Sequence, residues 1–447
     1  MPGEYVEVLM GQPEPDTTAR SDGGAPERGR ATEARVSITS GPDFRAFRSS
    51  PVGSGVLGCG QLRRGPDGVL RYGDLHPALT ELLDLRVHSF TNREAVVEVG
   101  GPRLTYRELW HSASRIAGGL QGHGIGYGDR VAVHMPTSAR WVQAFLGALL
   151  SGAVPVLIPD GLGADLTARV IADSRADFVL GPDGPLPDST AYIDDGAALG
   201  DPALLCYTGA AARGPVPAGV ELTNENLLSA VSSMVGALGL PADGVRNLVL
   251  LPLAHASGCV DQLLPTFAVG GTVVLAPAAH SLADVLVSER IDTVSATPRI
   301  FADLLPAFAE RRSGAGVRRV SKACHRSERA AAPASAPLTA ALRALFPEAR
   351  QWSVWGATET SGIGLLVDDT DRTEAALGFA FGGTELALSG PQARQGRGEL
   401  LCRGPNVSRR YWNNPDATVA RFSGTWFHTG DFVRIDTDGL VYAEPAG

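Results

Sequence analysis

The central part of the chain alternates segments of helical periodicity with short apolar runs. Residues 106–120 carry apolar side chains at helical spacing, and after a glycine-rich turn they are followed by the apolar run 131–133. This order recurs to about residue 296 and is typical of parallel sheets whose two faces are both covered by helices. The predicted elements are helices over 106–120, 141–150, 166–174, 259–269 and 283–289, and strands over 131–133, 154–158, 178–180, 248–251, 272–275 and 293–296.

The two ends of the chain have different patterns. Residues 1–55 are rich in glycine, proline, serine, threonine and arginine without an apolar period, which predicts a disordered tail. We expect residues 56–447 to form one large domain. From about residue 375 its runs are short and punctuated by glycine, at 399–402, 426–428 and 440–442, which predicts a smaller β-rich subdomain.

Composition narrows the possible functions. The chain has 39 basic and 48 acidic residues, hence a net charge of −9, which argues against nucleic acid as a partner. The uncharged stretch 141–159 is interrupted by Gly152 and Pro155, so we predict a buried helix, turn and strand there and no membrane span. With no secretory pattern at the N-terminus, we expect a cytoplasmic protein. The five cysteines show no paired short spacing that would indicate zinc or disulfides: Cys59, Cys206, Cys259, Cys324 and Cys402.

Several motifs follow one another in a characteristic order. They are Leu-Thr-Tyr-Arg-Glu-Leu at 104–109, Gly-Asp-Arg-Val-Ala-Val at 128–133, Leu-Ala-His-Ala-Ser-Gly at 253–258, Trp-Gly-Ala-Thr-Glu-Thr at 355–360, and a last group running from Gly-Glu-Leu at 398–400 through Tyr-Trp-Asn-Asn-Pro-Asp at 411–416 to His-Thr-Gly-Asp at 428–431. Over roughly residues 85–447 they resemble the adenylate-forming superfamily of acyl-CoA synthetases, peptide-synthetase adenylation domains and luciferases.

The resemblance implies a fold and a reaction. The fold would be α/β, with two stacked parallel-sheet αβα subdomains plus a small β-rich subdomain. Such enzymes activate a carboxylate by attack on the α-phosphate of ATP, release pyrophosphate, and pass the acyl group to a thiol or amine. ATP or AMP and Mg²⁺ would be the cofactors, and a small carboxylic acid or acyl thioester, with CoA or a carrier protein, would be the partners.

The motif at 355–360 is expected to contact the nucleotide. The resemblance makes Glu359 the catalytic magnesium ligand, Thr358 a phosphate or adenylate contact, and Trp355 a platform that stacks on adenine. A carboxylate at a strand-end turn can hold magnesium through one oxygen while water supplies the other ligands. Thr358 and Glu359 could instead cap a helix.

The remaining site residues are also implied by the resemblance. Asp431 would accept hydrogen bonds from both ribose hydroxyls, or else form an ordinary Asx turn. His255 follows a predicted strand, at the strand end where ligands bind in open α/β sheets. It would lie beside the incoming carboxylate as a catalytic and substrate-binding residue, with Ser257, Gly258 and Gly356, although a lone histidine is more often structural.

The predicted phosphate loop departs from the family pattern. The family reads close to Thr-Ser-Gly-Thr-Thr-Gly-x-Pro-Lys-Gly, whereas residues 207–220 carry alanine in place of both central hydroxyls and Ala218 in place of the lysine. Loss of three hydrogen bonds to charged groups would remove about 4–9 kcal/mol of triphosphate binding unless other groups compensate. The residues left to bind nucleotide in this stretch are Thr208, Gly209 and Arg213.

Lysine is nearly absent from the chain. The only one is Lys322, in a basic, alanine-rich segment, 318–336, that we predict to be a surface loop. Family members continue past the ribose-binding aspartate into a lid domain with a catalytic lysine, whereas this sequence stops at Gly447, so we expect the lid to be absent or supplied by a separate polypeptide. Two hypotheses stay open: a divergent ligase or acyl-transfer enzyme, and a catalytically inactive scaffold that binds an acyl chain or a carrier protein.

Overall fold

Helices and strands alternate through most of the chain, as the periodicity predicts. A computed structural model describes residues 44–47, 61–208, 217–277, 280–311, 316–324, 334–368 and 376–444. The helices are α1 Leu79–Phe90, α2 Tyr106–Gly122, α3 Ala139–Leu150, α4 Ala164–Ser174, α5 Asn224–Ala237, α6 Ala256–Gly258, α7 Leu264–Ala268, α8 Leu282–Ser288, α9 Pro298–Arg311, α10 Ala336–Leu345 and α11 Pro415–Arg421.

The strands are short, and each of the predicted ones is present within about two residues. They are β1 Phe44–Phe47, β2 Leu62–Arg64, β3 Leu70–Tyr72, β4 Glu94–Glu98, β5 Arg103–Thr105, β6 Arg130–Val133, β7 Val154–Leu157, β8 Phe178–Leu180, β9 Pro202–Thr208, β10 Ala218–Thr223, β11 Arg246–Val249, β12 Thr272–Leu275, β13 Thr293–Ala296, β14 Arg319–Ala323, β15 Arg350–Trp355, β16 Leu365–Asp368, β17 Ala376–Ala380, β18 Glu385–Ser389, β19 Arg397–Arg403, β20 Phe422–Ser423, β21 Trp426–Ile435 and β22 Val441–Ala443.

Local sequence fixes the start of helix α2. The Glu108 backbone N–H donates to Thr105 Oγ1 at 3.2 Å, and the Thr105 backbone N–H donates to the Glu108 carboxylate at 2.9 Å. This reciprocal capping satisfies two amides that the helix itself leaves without a partner. Leu109, Ile116 and Leu120 then recur at helical spacing and are buried.

Two sheets organise the domain. In the smaller sheet the strand order is β10-β9-β7-β6-β8, with β10 antiparallel and the others parallel. The larger sheet contains the parallel strands β4-β12-β11-β13-β14-β15 in that spatial order. Because parallel strands need crossover connections, helices cover both faces of each sheet.

The hydrophobic core lies in layers around these sheets. The main apolar cluster takes side chains from strands of both sheets and from α1, α2, α3, α5 and α7, so these helices are enclosed between the sheets. A second cluster joins the outer face of the larger sheet to α8, α9 and α10, and a third joins the outer face of the smaller sheet to α4. The predicted fold of two stacked αβα subdomains is therefore confirmed.

The β-rich subdomain is continuous with the larger sheet. Strand β16 pairs antiparallel with β15, and the antiparallel strands β17, β22, β21, β19 and β18 follow in that order. The antiparallel part begins at Leu365, about ten residues before the predicted position. Residues 44–47 pair with β18, and Phe44 packs against Trp426 with ring centroids 5.7 Å apart, so these residues belong to the sheet. The rest of the predicted tail lies outside the described residues.

Lys322 lies on the buried strand β14, so the prediction of a surface loop was wrong for residues 319–323, whereas residues 325–333 of that predicted loop lie outside the described residues. The Lys322 side chain has no exposed surface, and Nζ is 3.5 Å from Gln351 Oε1. Its cross-strand neighbours are Ala296 and Ser353, whose small side chains leave room for the long lysine chain. Within the described residues, no helix combines the length and apolarity needed to cross a membrane.

Candidate functional site

The motif residues gather at one edge of the larger sheet. Strands β11 and β15 are parallel, and their carboxyl ends lead to His255 and to Glu359 respectively. Strands β13 and β14 lie between them. Adjacent strands are about 4.8 Å apart, so the two strand ends are separated by roughly 14 Å. Ligands bind at this edge in open α/β sheets.

A tight turn carries Glu359 directly after β15. A Cβ atom added to Gly356 would lie 1.9 Å from the Gly362 carbonyl oxygen, so the close approach of the two backbones requires glycine. The Ala357 backbone N–H donates to Thr360 Oγ1 at 2.9 Å. Thr360 therefore caps the short 3₁₀ turn 358–360, and the alternative in which Glu359 serves as the cap does not describe this turn.

The Glu359 carboxylate is buried and oriented by a tyrosine. Its side chain is 2% exposed, and the Tyr411 hydroxyl donates to Glu359 Oε1 at 2.6 Å. The Ser408 backbone N–H donates to the Glu359 carbonyl oxygen at 2.8 Å. The sequence places Tyr411 in a motif, but nothing in the local sequence indicates that its hydroxyl reaches Glu359, 52 positions earlier in the chain.

The Glu359 turn packs against strands β9 and β10. These strands are joined by the predicted phosphate loop, whose residues 209–216, including Gly209 and Arg213, lie outside the described residues. Thr208 ends β9, is 9% exposed and pairs with Ala218, the first residue of β10. The buried carboxylate therefore lies in a turn that packs against the two strands joined by the predicted phosphate loop.

This donor set fits magnesium that arrives with a nucleotide. Magnesium is usually held in proteins by one or two carboxylates together with substrate phosphates and water. In the part of the chain that the structure describes, no group of three or more histidine, cysteine, aspartate or glutamate side chains is placed to hold a metal. A single carboxylate in this position fits a magnesium ion whose remaining ligands come from the phosphates of a nucleotide and from water.

Asn406 holds the Glu359 turn in place. Its amide nitrogen donates to the carbonyl oxygens of Thr360 at 3.1 Å and Ile363 at 3.2 Å. Ser361 Oγ donates back to the Asn406 carbonyl oxygen at 2.7 Å. Asn226, on α5, donates to the Pro405 carbonyl oxygen at 2.7 Å and thereby ties the same segment to the smaller sheet. Only the folded arrangement brings these distant residues together.

His255 is exposed at the start of α6. Its carbonyl oxygen accepts a hydrogen bond from the Cys259 backbone N–H at 2.9 Å. Ser257 is half-buried and Gly258 is buried. The close packing at position 258 requires glycine, because a Cβ there would lie 2.1 Å from the Pro252 carbonyl oxygen. Packing alone explains Gly258, whereas the exposed His255 side chain is accessible to a ligand.

The helix after His255 reaches the Glu359 turn. It begins three residues earlier than predicted and passes through a π-helical turn, Cys259–Leu263, before α7. Asp261, in that π turn, is 3% exposed, and a Cβ built on Gly362 would lie 2.2 Å from its Oδ1 atom. The two predicted site segments are thus in direct contact. Burial raises the pKa of the Cys259 thiol well above its usual value, as expected for a packing residue.

The structure corrects the expectation for Trp355. Its indole has no exposed surface and packs in the apolar cluster of the β-rich subdomain. Gly364 makes room for the ring, since a Cβ there would lie 2.9 Å from it. A ring enclosed in this way presents no face to adenine, so stacking on the base is not available in this conformation.

Asp431 lies within strand β21 and not in a tight turn as expected. Its side chain is 4% exposed. The Asp431 backbone N–H donates to Thr429 Oγ1 at 3.0 Å, and Thr429 Oγ1 donates to the Leu400 carbonyl oxygen at 2.8 Å. Asp431 thus lies in an extended strand, and its backbone N–H is held by the Thr429 side chain.

Comparison with known proteins gives consistent similarities. The sequence profile of the AMP-binding enzyme family matches residues 83–198 and 185–412. The chain is 30% identical over 384 residues to a feruloyl-CoA synthase from an Amycolatopsis species, which covers 77% of this chain and 74% of that protein. It is 29% identical over 381 residues to the long-chain-fatty-acid–CoA ligase FadD13 of Mycobacterium tuberculosis, covering 76% and 73%.

Solved structures show the same similarity. The N-terminal domain of FACL13 from Mycobacterium tuberculosis has a TM-score of 0.72 at 26% identity, covering 83% of this chain and 100% of that chain. A fatty acyl CoA synthetase from Mycobacterium tuberculosis has a TM-score of 0.71 at 26% identity, covering 82% of this chain and 78% of that chain.

Proposed function

Because the chain belongs to the AMP-binding enzyme family, we propose that it is a divergent acyl-activating ligase that binds a carboxylic acid and an adenine nucleotide at the carboxyl edge of the larger sheet. Members of this family generally use ATP or AMP and Mg²⁺. The observation that carries the proposal is the buried Glu359 carboxylate, oriented by Tyr411 and packed against the hairpin that carries the predicted phosphate loop.

Each site residue has a role that its position supports. Glu359 would hold Mg²⁺, which supplies charge neutralisation on the phosphates when bound. Thr208 and Thr358 would donate hydrogen bonds to phosphate oxygens, since Thr208 ends β9 just before the predicted loop and Thr358 lies in the turn that packs against β9 and β10. Asp431 would accept from the ribose hydroxyls, and the exposed His255 would lie beside the incoming carboxylate.

The adenylation step is proposed to be impaired in this chain. Ala218 occupies the position of the family's loop lysine, and the single lysine of the sequence, Lys322, is fully buried on β14. The donors that would stabilise the β- and γ-phosphates are therefore depleted, whereas the residues proposed for ribose and metal are retained. This imbalance favours AMP or an acyl-adenylate over ATP as the tighter ligand.

CoA is the proposed acyl acceptor. The similar proteins are a feruloyl-CoA synthase and a long-chain-fatty-acid–CoA ligase, whose names give CoA as the acceptor for an aromatic acid in one and an aliphatic acid in the other. We therefore propose CoA as the acceptor for this chain as well. We specify the substrate only as a carboxylic acid, because the two relatives are named for different acids.

Calorimetric titration tests the nucleotide preference. We expect AMP and a non-hydrolysable acyl-adenylate analogue to bind more tightly than ATP with Mg²⁺. Binding of ATP–Mg²⁺ with a dissociation constant below about 10 µM, roughly 6.8 kcal/mol, would show that the altered loop compensates fully for its missing donors. Binding of the analogue without any turnover would favour the inactive scaffold.

A further inference from the structure

Strand β21 departs from regular pairing immediately before Asp431. Glu399 pairs with Phe432, and Leu401 pairs with His428, so residues 429–431 of β21 lie opposite the single residue Leu400 of β19. A bulge of this kind removes backbone groups from the ladder and changes the direction in which side chains point. Bulges of this kind are over-represented next to active sites.

Side chains take the hydrogen bonds that the ladder no longer supplies. The Gly430 backbone N–H donates to Glu399 Oε1 at 3.0 Å. The Asp431 backbone N–H donates to Thr429 Oγ1 at 3.0 Å. Gly430 has a φ of 74°, a left-handed conformation that glycine adopts without strain. The shape of the bulge therefore depends on the Glu399 carboxylate as well as on Gly430.

The second oxygen of Glu399 is held by a histidine. His428 Nδ1 lies 3.0 Å from Glu399 Oε2, and His428 Nε2 lies 2.9 Å from Ser423 Oγ. Burial alone would raise the pKa of Glu399, but the hydrogen bond and charge of His428, the Gly430 N–H and Arg421 outweigh it and lower that pKa. An ionised carboxylate only accepts, so His428 Nδ1 carries the hydrogen in its contact with Glu399.

We infer that Glu399 and His428 are positioning residues that hold the 429–431 bulge and thereby aim Asp431 at the ribose hydroxyls. Glu399 joins the middle of the bulge to the residue before it, because one carboxylate oxygen binds the Gly430 amide and the other binds His428. The inference rests on the proposed nucleotide site. Both residues lie in the motifs at 398–400 and 428–431, where the resemblance gave a role to Asp431 alone.

The test compares two nucleotides that differ only at the ribose. AMP and 2′,3′-dideoxy-AMP are titrated calorimetrically into the unchanged chain, Glu399→Ala, Glu399→Gln and the matched control Glu444→Ala. The control removes a carboxylate of similar side-chain exposure, 26% against 24%, that pairs with Arg397 in the same antiparallel region. Thermal melting of every variant confirms that it is folded before titration.

We expect the unchanged chain to prefer AMP over the dideoxy analogue by about tenfold or more, as hydrogen bonds to a carboxylate contribute. Glu399→Ala should bring that ratio close to one by weakening AMP alone, and Glu444→Ala should leave it within about twofold. Glu399→Gln should restore much of the preference, because its amide oxygen still accepts from Gly430. A residue that only stabilised the sheet would lower melting temperature without changing the ratio.

The variant Asp431→Asn separates the two proposals. In that background, Glu399→Ala should have no further effect on the ratio, since both changes remove the same contact. Suppose that the unchanged chain prefers AMP, that Asp431→Asn loses this preference, and that folded Glu399→Ala keeps it. This result overturns the positioning role of Glu399 and leaves the proposed ribose site intact. Failure of the unchanged chain to bind AMP, or to prefer it over the analogue, overturns the proposed ribose site and the inference with it.

Discussion

The Tyr411–Glu359 contact links the most buried carboxylate of the site to a segment far along the chain. Replacing Tyr411 by phenylalanine keeps the ring and removes the hydroxyl that donates to Glu359 Oε1 at 2.6 Å. Because a hydrogen bond to a charged group contributes about 1.5–3 kcal/mol, we expect Tyr411→Phe to lower the free energy of unfolding by roughly that amount. Chemical denaturation at neutral pH measures the change.

Tyr442→Phe is the matched control for that variant. The Tyr442 hydroxyl donates to Asp436 Oδ2 at 3.1 Å. The control substitution therefore removes the same kind of hydrogen bond outside the proposed site. Tyr442 and Asp436 are both less buried than Tyr411 and Glu359, and water replaces the lost donor there. We expect a loss of about 0.5–1.5 kcal/mol in the control. Equal losses in both variants would contradict a special role for the Tyr411 hydroxyl.

Glu359→Gln tests the metal assignment. The glutamine oxygen can still accept from Tyr411, so the fold is expected to remain, but the charge that would attract Mg²⁺ is lost. We expect the affinity for ATP to rise with Mg²⁺ in the unchanged chain and to become insensitive to Mg²⁺ in the variant. Calorimetry with and without Mg²⁺ measures both. An unchanged response in the variant would mean that Glu359 only supports the turn.

At the scale of helices and strands, hydrophobic periodicity predicted those elements that bury either one face or their whole surface. Helices α2, α3 and α4 and their intervening strands were predicted within about two residues, because local spacing reports which face is buried. Strand β14 was missed because its basic residues indicated solvent, whereas Lys322 is accommodated between small cross-strand neighbours. Such accommodation depends on pairing partners that the local sequence does not reveal.

An ion-pair network joins four elements at the amino edge of the larger sheet. Arg103 on β5 pairs with Glu94 on β4 at 2.8 Å and with Glu289 after α8 at 2.9 Å, and Arg246 on β11 pairs with both carboxylates at 2.9 Å. Hydrogen bonds and charge from Arg103, with a smaller part from Arg246, lower the pKa of Glu94 and of Glu289 in spite of some burial.

The network should therefore stabilise the fold only above acidic pH. Carboxyl groups with a lowered pKa contribute stability above their unfolded pKa of about 4.3, and that contribution disappears as pH falls through the folded value. We expect Arg103→Met to cost about 1 kcal/mol at pH 7, since the groups are partly exposed, and less below pH 4. The control Arg115→Met removes an isolated surface pair of similar arginine exposure, 42% against 46%. A pH-independent cost of Arg103→Met, measured by denaturation, would contradict this.

At the scale of the whole molecule, the site is assembled where the two sheets meet. The segments with His255 and Glu359 share one edge, because both follow parallel strands of the same sheet. Motif spacing alone did not indicate this. It could not supply Asn406, Tyr411 or Asp261, which reach the site through long-range packing. The family resemblance assigned Trp355 to adenine, whereas the antiparallel strands that follow enclose the indole.

Turnover by this 447-residue chain depends on how the charge that develops in the reaction is stabilised. Carboxylate attack on the α-phosphate develops negative charge that a preorganised cation stabilises, and loss of one such donor costs about 10²–10³ in rate. The sequence has a single lysine, and Lys322 is fully buried on β14. We therefore expect slow acid-dependent pyrophosphate release across aromatic and aliphatic acids, measured by a coupled assay with acid-free reactions as the control. Release at the rate of FadD13 assayed in parallel would show that an arginine supplies the missing charge, and the chain would then be a fully competent ligase.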